Sequence, residues 1–580
     1  MKKTIIALVL ILAAGGAAAY YFLAGPAAGS ANANYAAIVP ADTLFYAGSS
    51  GGNEFAEAMA AFRTANAGSL QANMDDYRKI APKFGQAGLF LAGVLEAYVA
   101  QMEQGKPVPG VEETPRMAVY TVGIVPVLRV HLADATAFKQ FLDDAEQRGG
   151  AQATTGSYQG VGYREYALKL DEKATRTALL VAVRPNYAVM TLDAPALRDE
   201  TLPLALGLES PAQSLAQTAM LEQIAEKNGF LSGYVSFINH QAIVAALTGA
   251  PESRGGKMLT RLDTKHGLAS LRAPACRQDL QSIAKVWPIT VMGLLPDEAS
   301  AAGVAEVHER MVSRLTDPSL TSTLGKLRGH IPAGLLNGSR EPILAVALGL
   351  DASNIGTVAS ELQQRFVQAD FQCDWLVKAQ QQVRQKNPAA ATIAAALISG
   401  VRGVSLSVFG FNPAPGAAAP DIDGLFNISA NNPRMLFQMM QRMQPNMFGN
   451  VQLPADGESV VLQLRKGAPQ VRVMVNGQHL LLFSGEQASK VAGMLAKDEL
   501  KPNGALFYRI DYGELMPVLA KFFSRHKGTK EGDAAKMQAV AESLQRMGQS
   551  KLRVRALLDL QKHGVVLEVN AAADKAQAGS

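Results

Sequence analysis

From Tyr35 onward the apolar positions of the chain switch between two periods. Short runs that are apolar throughout or at every second residue predict strands, and longer stretches with apolar residues three and four apart predict helices. The first series opens with Ile38-Val39-Pro40-Ala41 and predicts a strand over Leu44–Ala47, a helix near Glu54–Arg63 and an apolar helix over Leu89–Val99. A hairpin follows, with strands Ala118–Val122 and Leu128–Leu132 either side of a Gly-Pro turn. Next come a helix from Asp134, a strand pair around Pro185-Asn186, a helix near Ala194–Leu204, and strand Leu231–Ile238 running into a helix capped by Asn239. Helix Arg277–Val286 and strands Ile289–Leu294 and Gly303–His308 close the series.

The same order returns from His330-Ile331-Pro332-Ala333. Strand Ile343–Leu348, helix Ile355–Phe366 and an apolar helix over Ala390–Ile398 precede a hairpin of Val404–Phe409 and Leu425–Ser429. A helix then starts at Asn432-Pro433, where proline suits a first helical position that lacks an amide partner anyway. Strands Val471–Val475 and Leu480–Phe483 flank Asn476-Gly477, a strong hairpin signal because both residues accept positive φ. Ser484-Gly-Glu-Gln487 reads as a capping box at the next helix, and Asp511 caps the helix after strand Ala505–Ile510. Helix Lys536–Met547 and strands Leu552–Leu558 and Val565–Val569 complete the second series. Recurrence of an element order is the mark of repeated structural units. The expected class is α+β: two tandem, internally duplicated domains at 35–315 and 329–572, each an antiparallel sheet with helices over one face, joined by a linker at 316–328 and followed by a disordered tail at 573–580.

The start of the chain carries an address. Lys2 and Lys3 precede Thr4–Ala24, a run free of charge that at about 1.5 Å per helical residue reaches the thickness of a bilayer core. Residues 1–25 therefore read as a signal anchor, or as a signal peptide cleaved after Ala17-Ala18-Ala19, with 26–34 as a tether. Either reading exports the bulk of the chain and keeps the lysines on the cytoplasmic side. The expected location is a bacterial inner membrane, single-pass, with the body in the periplasm. This anchor followed by Val39-Pro40-Ala41-Asp42-Thr43 resembles a group of uncharacterised bacterial envelope proteins. The resemblance implies location and no activity.

Composition narrows the function further. Charged residues make up 18% of the 580, below the roughly 25% of ordinary soluble domains, so a large buried core is expected and general disorder is excluded. A net charge of +5, with two of the excess lysines in the leader, is too weak for a nucleic-acid-binding face.

Candidate chemistry is sparse. Gly48-Ser49-Ser50-Gly51-Gly52 fits G-x-S-x-G between a predicted strand and helix, which would make Ser50 the nucleophile of a serine hydrolase. The second series does not keep the pattern, and a glycine-rich turn accounts for it without catalysis. The eight histidines, at 131, 240, 266, 308, 330, 479, 526 and 563, form no H-x-H or H-E-x-x-H spacing, so they read as surface or strand-edge residues and no metal site or cofactor is expected. Asp421-Ile-Asp423-Gly424 lacks the downstream glutamate of a calcium loop and reads as a turn, and Arg525, His526, Lys527 and Lys530 read as a solvated basic loop. Met435, Met439 and Met443 are spaced to share a helix face, which suits core packing, an adaptable apolar ligand groove or a soft Cu(I) site. The leading expectation is a non-enzymatic periplasmic binding or scaffold protein for an apolar ligand or another envelope protein. A structural tether is the third reading.

Cys276 and Cys373 are the two cysteines of an exported chain, an arrangement that favours a bridge over two buried thiols. A thiol assay on the denatured, unreduced protein is expected to find no reactive cysteine; two reactive thiols would exclude the bridge.

Overall fold

A computed structural model of the protein describes residues 35–49, 70, 74, 76–104, 106–112, 115–169, 177–263, 266–296, 304–337, 341–386, 398–412, 421–462, 470–525, 533–549 and 551–574. The leader at 1–34, the predicted helix at Glu54–Arg63 and all but the last residue of the predicted helix at Ala390–Ile398 lie outside them. Among the described residues no helix is long and apolar enough to cross a membrane. The chain divides into two compact units, Met1–Arg314 with Ala572–Ser580, and Leu315–Ala571.

The strands of the first unit are β1 (Phe45–Ser49), β2 (Met117–Val122), β3 (Val125–His131), β4 (Thr154–Tyr158), β5 (Val161–Leu168), β6 (Thr177–Val183), β7 (Tyr187–Asp193), β8 (Val235–Asn239), β9 (Ile289–Leu294) and β10 (Val304–Arg314). They pair antiparallel in the order β10-β9-β8-β1-β2-β3-β7-β6-β5-β4. Helices cover both faces of this sheet, not the one face expected. Leu179 and Val181 of β6 pack with Phe90 of helix Gly85–Glu103 and with Phe141 and Leu142 of helix Ala135–Gly149. Their neighbours Leu180 and Ala182 point the other way, against Leu202 and Leu206 at helix Arg198–Ala205. A strand buried on both faces has no reason to alternate, and β6 accordingly reads Thr-Ala-Leu-Leu-Val-Ala-Val. Small residues bring the two helices of the first face together: a Cβ on Gly93 would stand 1.9 Å from the Ala145 carbonyl oxygen.

In the second unit the strands are β11 (Leu344–Leu348), β12 (Val401–Asn412), β13 (Asp421–Ala430), β14 (Ser459–Leu462), β15 (Val471–Asn476), β16 (His479–Ser484), β17 (Leu506–Asp511), β18 (Arg553–Gln561) and β19 (Gly564–Asp574), the last running two residues into the segment expected as a disordered tail. Their antiparallel order is β18-β17-β11-β12-β13-β16-β15-β14. Val473, Val475 and Leu480 pack under Phe437 of helix Pro433–Met443, and Met474, Leu481 and Phe483 pack under Ala488 and Ala492 of helix Glu486–Met494.

Local structure departs from the sequence reading at several places. The hairpin of β4 and β5 was not anticipated: its outer strand, Thr-Thr-Gly-Ser-Tyr, carries no apolar alternation, and its turn uses Gln159 and Gly160, both at positive φ. The β2–β3 turn is Gly123-Ile124, since Val122 pairs with Val125, and Pro126 lies inside β3 opposite Thr121. The segment read as a linker holds helix Pro318–Gly325, whose first amides are capped by Asp317. The Ser484 capping box does not form, because Ser484 is still paired in β16 opposite Gly424. Asp423, expected in a turn, is instead a strand residue of β13 that caps this helix from outside: its carboxylate accepts from the amides of Gln487 (3.0 Å) and Ala488 (2.8 Å). Gly485 enters the helix at φ 96°, and a Cβ there would lie 2.4 Å from the Asp423 carboxyl carbon, so glycine is required twice over.

Asp423→Ala should destabilise the second unit by about 1–2 kcal/mol in urea unfolding, the usual loss for an N-terminal cap, with Asp423→Asn losing less. Equal stability of Asp423→Ala and wild type would mean the amides find other partners.

Candidate ligand-binding site

The paired helices on the first face of the first unit do not fill the space over the sheet. A cavity of about 90 Å³ remains between Val94 and Tyr98 of helix Gly85–Glu103, Phe138, Phe141 and Leu142 of helix Ala135–Gly149, and Leu128, Val130, Val181, Ala188 and Met190 on the sheet, closed at one side by the segment from Pro107 to Pro115. At about 15 Å³ of such space per water, it has room for roughly six waters or one small apolar group. Among the described lining residues the one charged side chain is Glu112.

That charge is neutralised where it stands. Arg116 reaches both Glu112 oxygens, from Nε at 2.8 Å and from Nη2 at 2.5 Å, and Nη2 also donates to His131 Nδ1 at 2.8 Å. The Arg116 hydrogen bonds hold the Glu112 carboxyl below the usual range against the opposing effect of burial. Burial pushes His131 down, and the Arg116 cation adds to it. His131 is therefore a neutral acceptor at pH 7, and the cavity meets no unpaired charge. Its chemistry is that of an uncharged, hydrocarbon-like guest.

The residues singled out in the sequence lie elsewhere. Ser50 is outside the described residues, as are His526, Lys527 and Lys530. The Met435, Met439 and Met443 face turns outward: Met435 is 56% and Met443 68% exposed, while Phe437 and Met440 carry the packing of that helix. Met439, between them, is half-buried. In helix Ala135–Gly149 of the first unit, Phe138 and Phe141 line the cavity. Cys276 is buried in helix Pro274–Val286 of the first unit and Cys373 is buried beside helix Asp374–Arg384 of the second, and neither is a free thiol.

Sequence spacing missed a second constellation, in the second unit. His330 and His479, expected at the surface, are 2% and 0% exposed. With the half-buried Asp498 they present one ligand-type atom each, all within 4.8 Å of one another. His330 Nε2 lies 3.2 Å from Asp498 Oδ2, and His330 Nδ1 3.2 Å from the Lys501 carbonyl oxygen. Asp498 Oδ2 also accepts from the Ala333 amide at 2.9 Å. His479 Nε2 faces the Asp498 carbonyl oxygen at 3.1 Å, while Nδ1 lies 3.2 Å from Asn427 Oδ1 and 3.1 Å from Ser429 Oγ. Burial lowers the His479 pKa, partly opposed by Asp498. Burial also works against the Asp498 carboxylate, but hydrogen bonds from His330 and Ala333 and the neighbouring imidazoles leave it below the ordinary range. The detectable signal was histidine at two structural landmarks, the His330-Ile-Pro-Ala entry and the residue closing the Asn476-Gly477 turn.

No family model matches the chain, and no curated protein or solved structure is similar to it.

Glu112→Gln should cost the first unit about 0.5–1 kcal/mol at pH 7, the range for a partly exposed ion pair. Because the folded-state pKa of Glu112 is depressed, this contribution is present above its ordinary value of 4.5 and fades as the pH falls through the lower, folded value. Denaturant titrations of both proteins at descending pH should therefore converge; a gap that persists in acid would show that lost packing, not charge, is responsible.

Proposed function

We propose that the chain is a non-enzymatic binding protein of the bacterial envelope, anchored at the inner membrane by its leader, with the body in the periplasm and an uncharged apolar ligand, or the apolar end of a larger one, as its cargo. The observation that carries this reading is the cavity between sheet and helices of the first unit, apolar except for a carboxylate already paired with arginine. Buried apolar space of this kind is uncommon in close-packed interiors, where voids larger than a water are few.

A gene duplication is part of the same reading. The strand orders β10-β9-β8-β1-β2-β3-β7-β6-β5 and β18-β17-β11-β12-β13-β16-β15-β14 share the run β9-β8-β1-β2-β3-β7-β6-β5, matched strand for strand. Register supports the match: His131 pairs with Tyr187 and Ser429 with His479, and each ladder ends in the same extra bond, Leu132 amide to Asn186 oxygen and Ala430 amide to Gln478 oxygen. On this reading one copy kept space for a guest while the other filled it with Phe437, Phe448 and their neighbours.

The purified chain should bind benzene saturably, one per chain, in a calorimetric titration. Ala188→Leu, which adds bulk inside the cavity, and Val108→Trp, which blocks its loop side, should each abolish the signal with unchanged far-UV circular dichroism. Absence of saturable binding by the wild type, or binding indifferent to both substitutions, would defeat the proposal.

A further inference from the structure

Three segments distant in sequence converge on the polar centre of the second unit: the entry segment at His330, the start of β16 at His479 and the stretch after helix Glu486–Met494 at Asp498. Two imidazoles and one carboxylate are a donor set for a borderline divalent ion. The His330 Nε2 to Asp498 Oδ2 distance of 3.2 Å is the spacing of two ligands on one tetrahedral ion, roughly 3.3 Å for bonds of about 2.0 Å. The two rings stand 5.9 Å apart, near the roughly 5 Å expected when both point at one centre.

Outer contacts complete the arrangement. An imidazole that ligates through one nitrogen holds its orientation by donating the other N–H to an oxygen. Both rings are placed to do so: His330 Nδ1 toward the Lys501 carbonyl oxygen and His479 Nδ1 toward Asn427 Oδ1. Asn427 is itself fixed, its amide donating to Ser429 Oγ at 3.1 Å and lying 3.4 Å from Ser405 Oγ. His330 Nε2 faces the Asp498 carboxylate, and His479 Nε2 faces the main-chain carbonyl oxygen of the same residue, a hydrogen bond that metal binding through this nitrogen would replace. The Asp498 side chain is 12% exposed, against 2% for His330, so the carboxylate is the side from which an ion enters.

We propose that His330, His479 and Asp498 bind one divalent transition-metal ion of the zinc class, His330 and His479 through Nε2 and Asp498 through Oδ2, with one coordination position left for water or a further ligand. The ion clamps three separate segments of the second unit. Among the described residues of the first unit no such cluster stands, and Tyr187 takes the register of His479. This site is independent of the apolar cavity, and either can fail without the other.

The test uses the untagged full-length chain, stripped with chelator and titrated with Zn²⁺ against a chromophoric competitor, then with Co²⁺. One Zn²⁺ per chain, visible Co²⁺ bands of tetrahedral intensity and a Zn²⁺-dependent rise in the melting temperature are expected. Asp498→Asn and His330→Gln should both lose stoichiometric binding and the thermal response. Their melting temperatures in EDTA report whether each still folds. No stoichiometric uptake by the wild type overturns the proposal, as does uptake unchanged in a variant that melts like the wild type in EDTA.

Discussion

Burial on both faces of the first sheet, and of the β13-β16-β15 part of the second, is the constraint from which the rest follows. A sheet covered on one side can send every second residue to water. The strands of the first sheet around β6, and β13, β16 and β15 of the second, are covered on both sides, so a polar side chain on them must find a partner within the protein or carry the cost of being buried alone. Most of the central sheet answers with hydrocarbon, as in β6. Where it does not, the polar residues cluster and are cross-linked: Ser405, Asn427, Ser429 and His479 on three adjacent strands of the second unit form one hydrogen-bonded group that ends at Asp498.

The two units meet this constraint differently on the strands that the proposed duplication matches. At the register where the second unit has Asn427 and His479, the first has Arg129 and Tyr187, with the guanidinium carbon 3.7 Å from the ring centre. The arginine is held by the face of the tyrosine, whose hydroxyl donates to the Leu206 carbonyl oxygen at 2.9 Å. On the opposite face the contrast is in volume: the first unit leaves an apolar cavity beneath Phe138 and Phe141, and the second closes the same region with Phe437 and Phe448 packed edge to face. One scaffold thus offers apolar space in one unit and a polar, metal-type donor set in the other.

Much of the fold was written in local pattern. Asp134 and Asn239 cap the helices that follow them and Asn432 caps the methionine-rich helix, while the hairpin expected at Asn476-Gly477 forms with its two-residue turn one position on, at Gly477-Gln478, because caps and tight turns are decided by a few adjacent residues. The same locality explains the errors. Ser484 and Gln487 have the spacing of a capping box, but strand pairing holds Ser484 and a carboxylate from another strand takes the amides. The methionine spacing identified a shared face correctly and said nothing of its direction, since Phe437 and Met440 on the same helix compete for the interior.

The sequence by itself determined many of the strands and helices and the α+β class, because these rest on period and on neighbours along the chain. Tertiary structure alone decided that helices lie on both faces of the first sheet, that unfilled space lies under one pair of them, and that His330 meets Asp498 168 positions away. Contacts of that kind depend on strand register and helix placement, which no spacing rule along a single chain encodes.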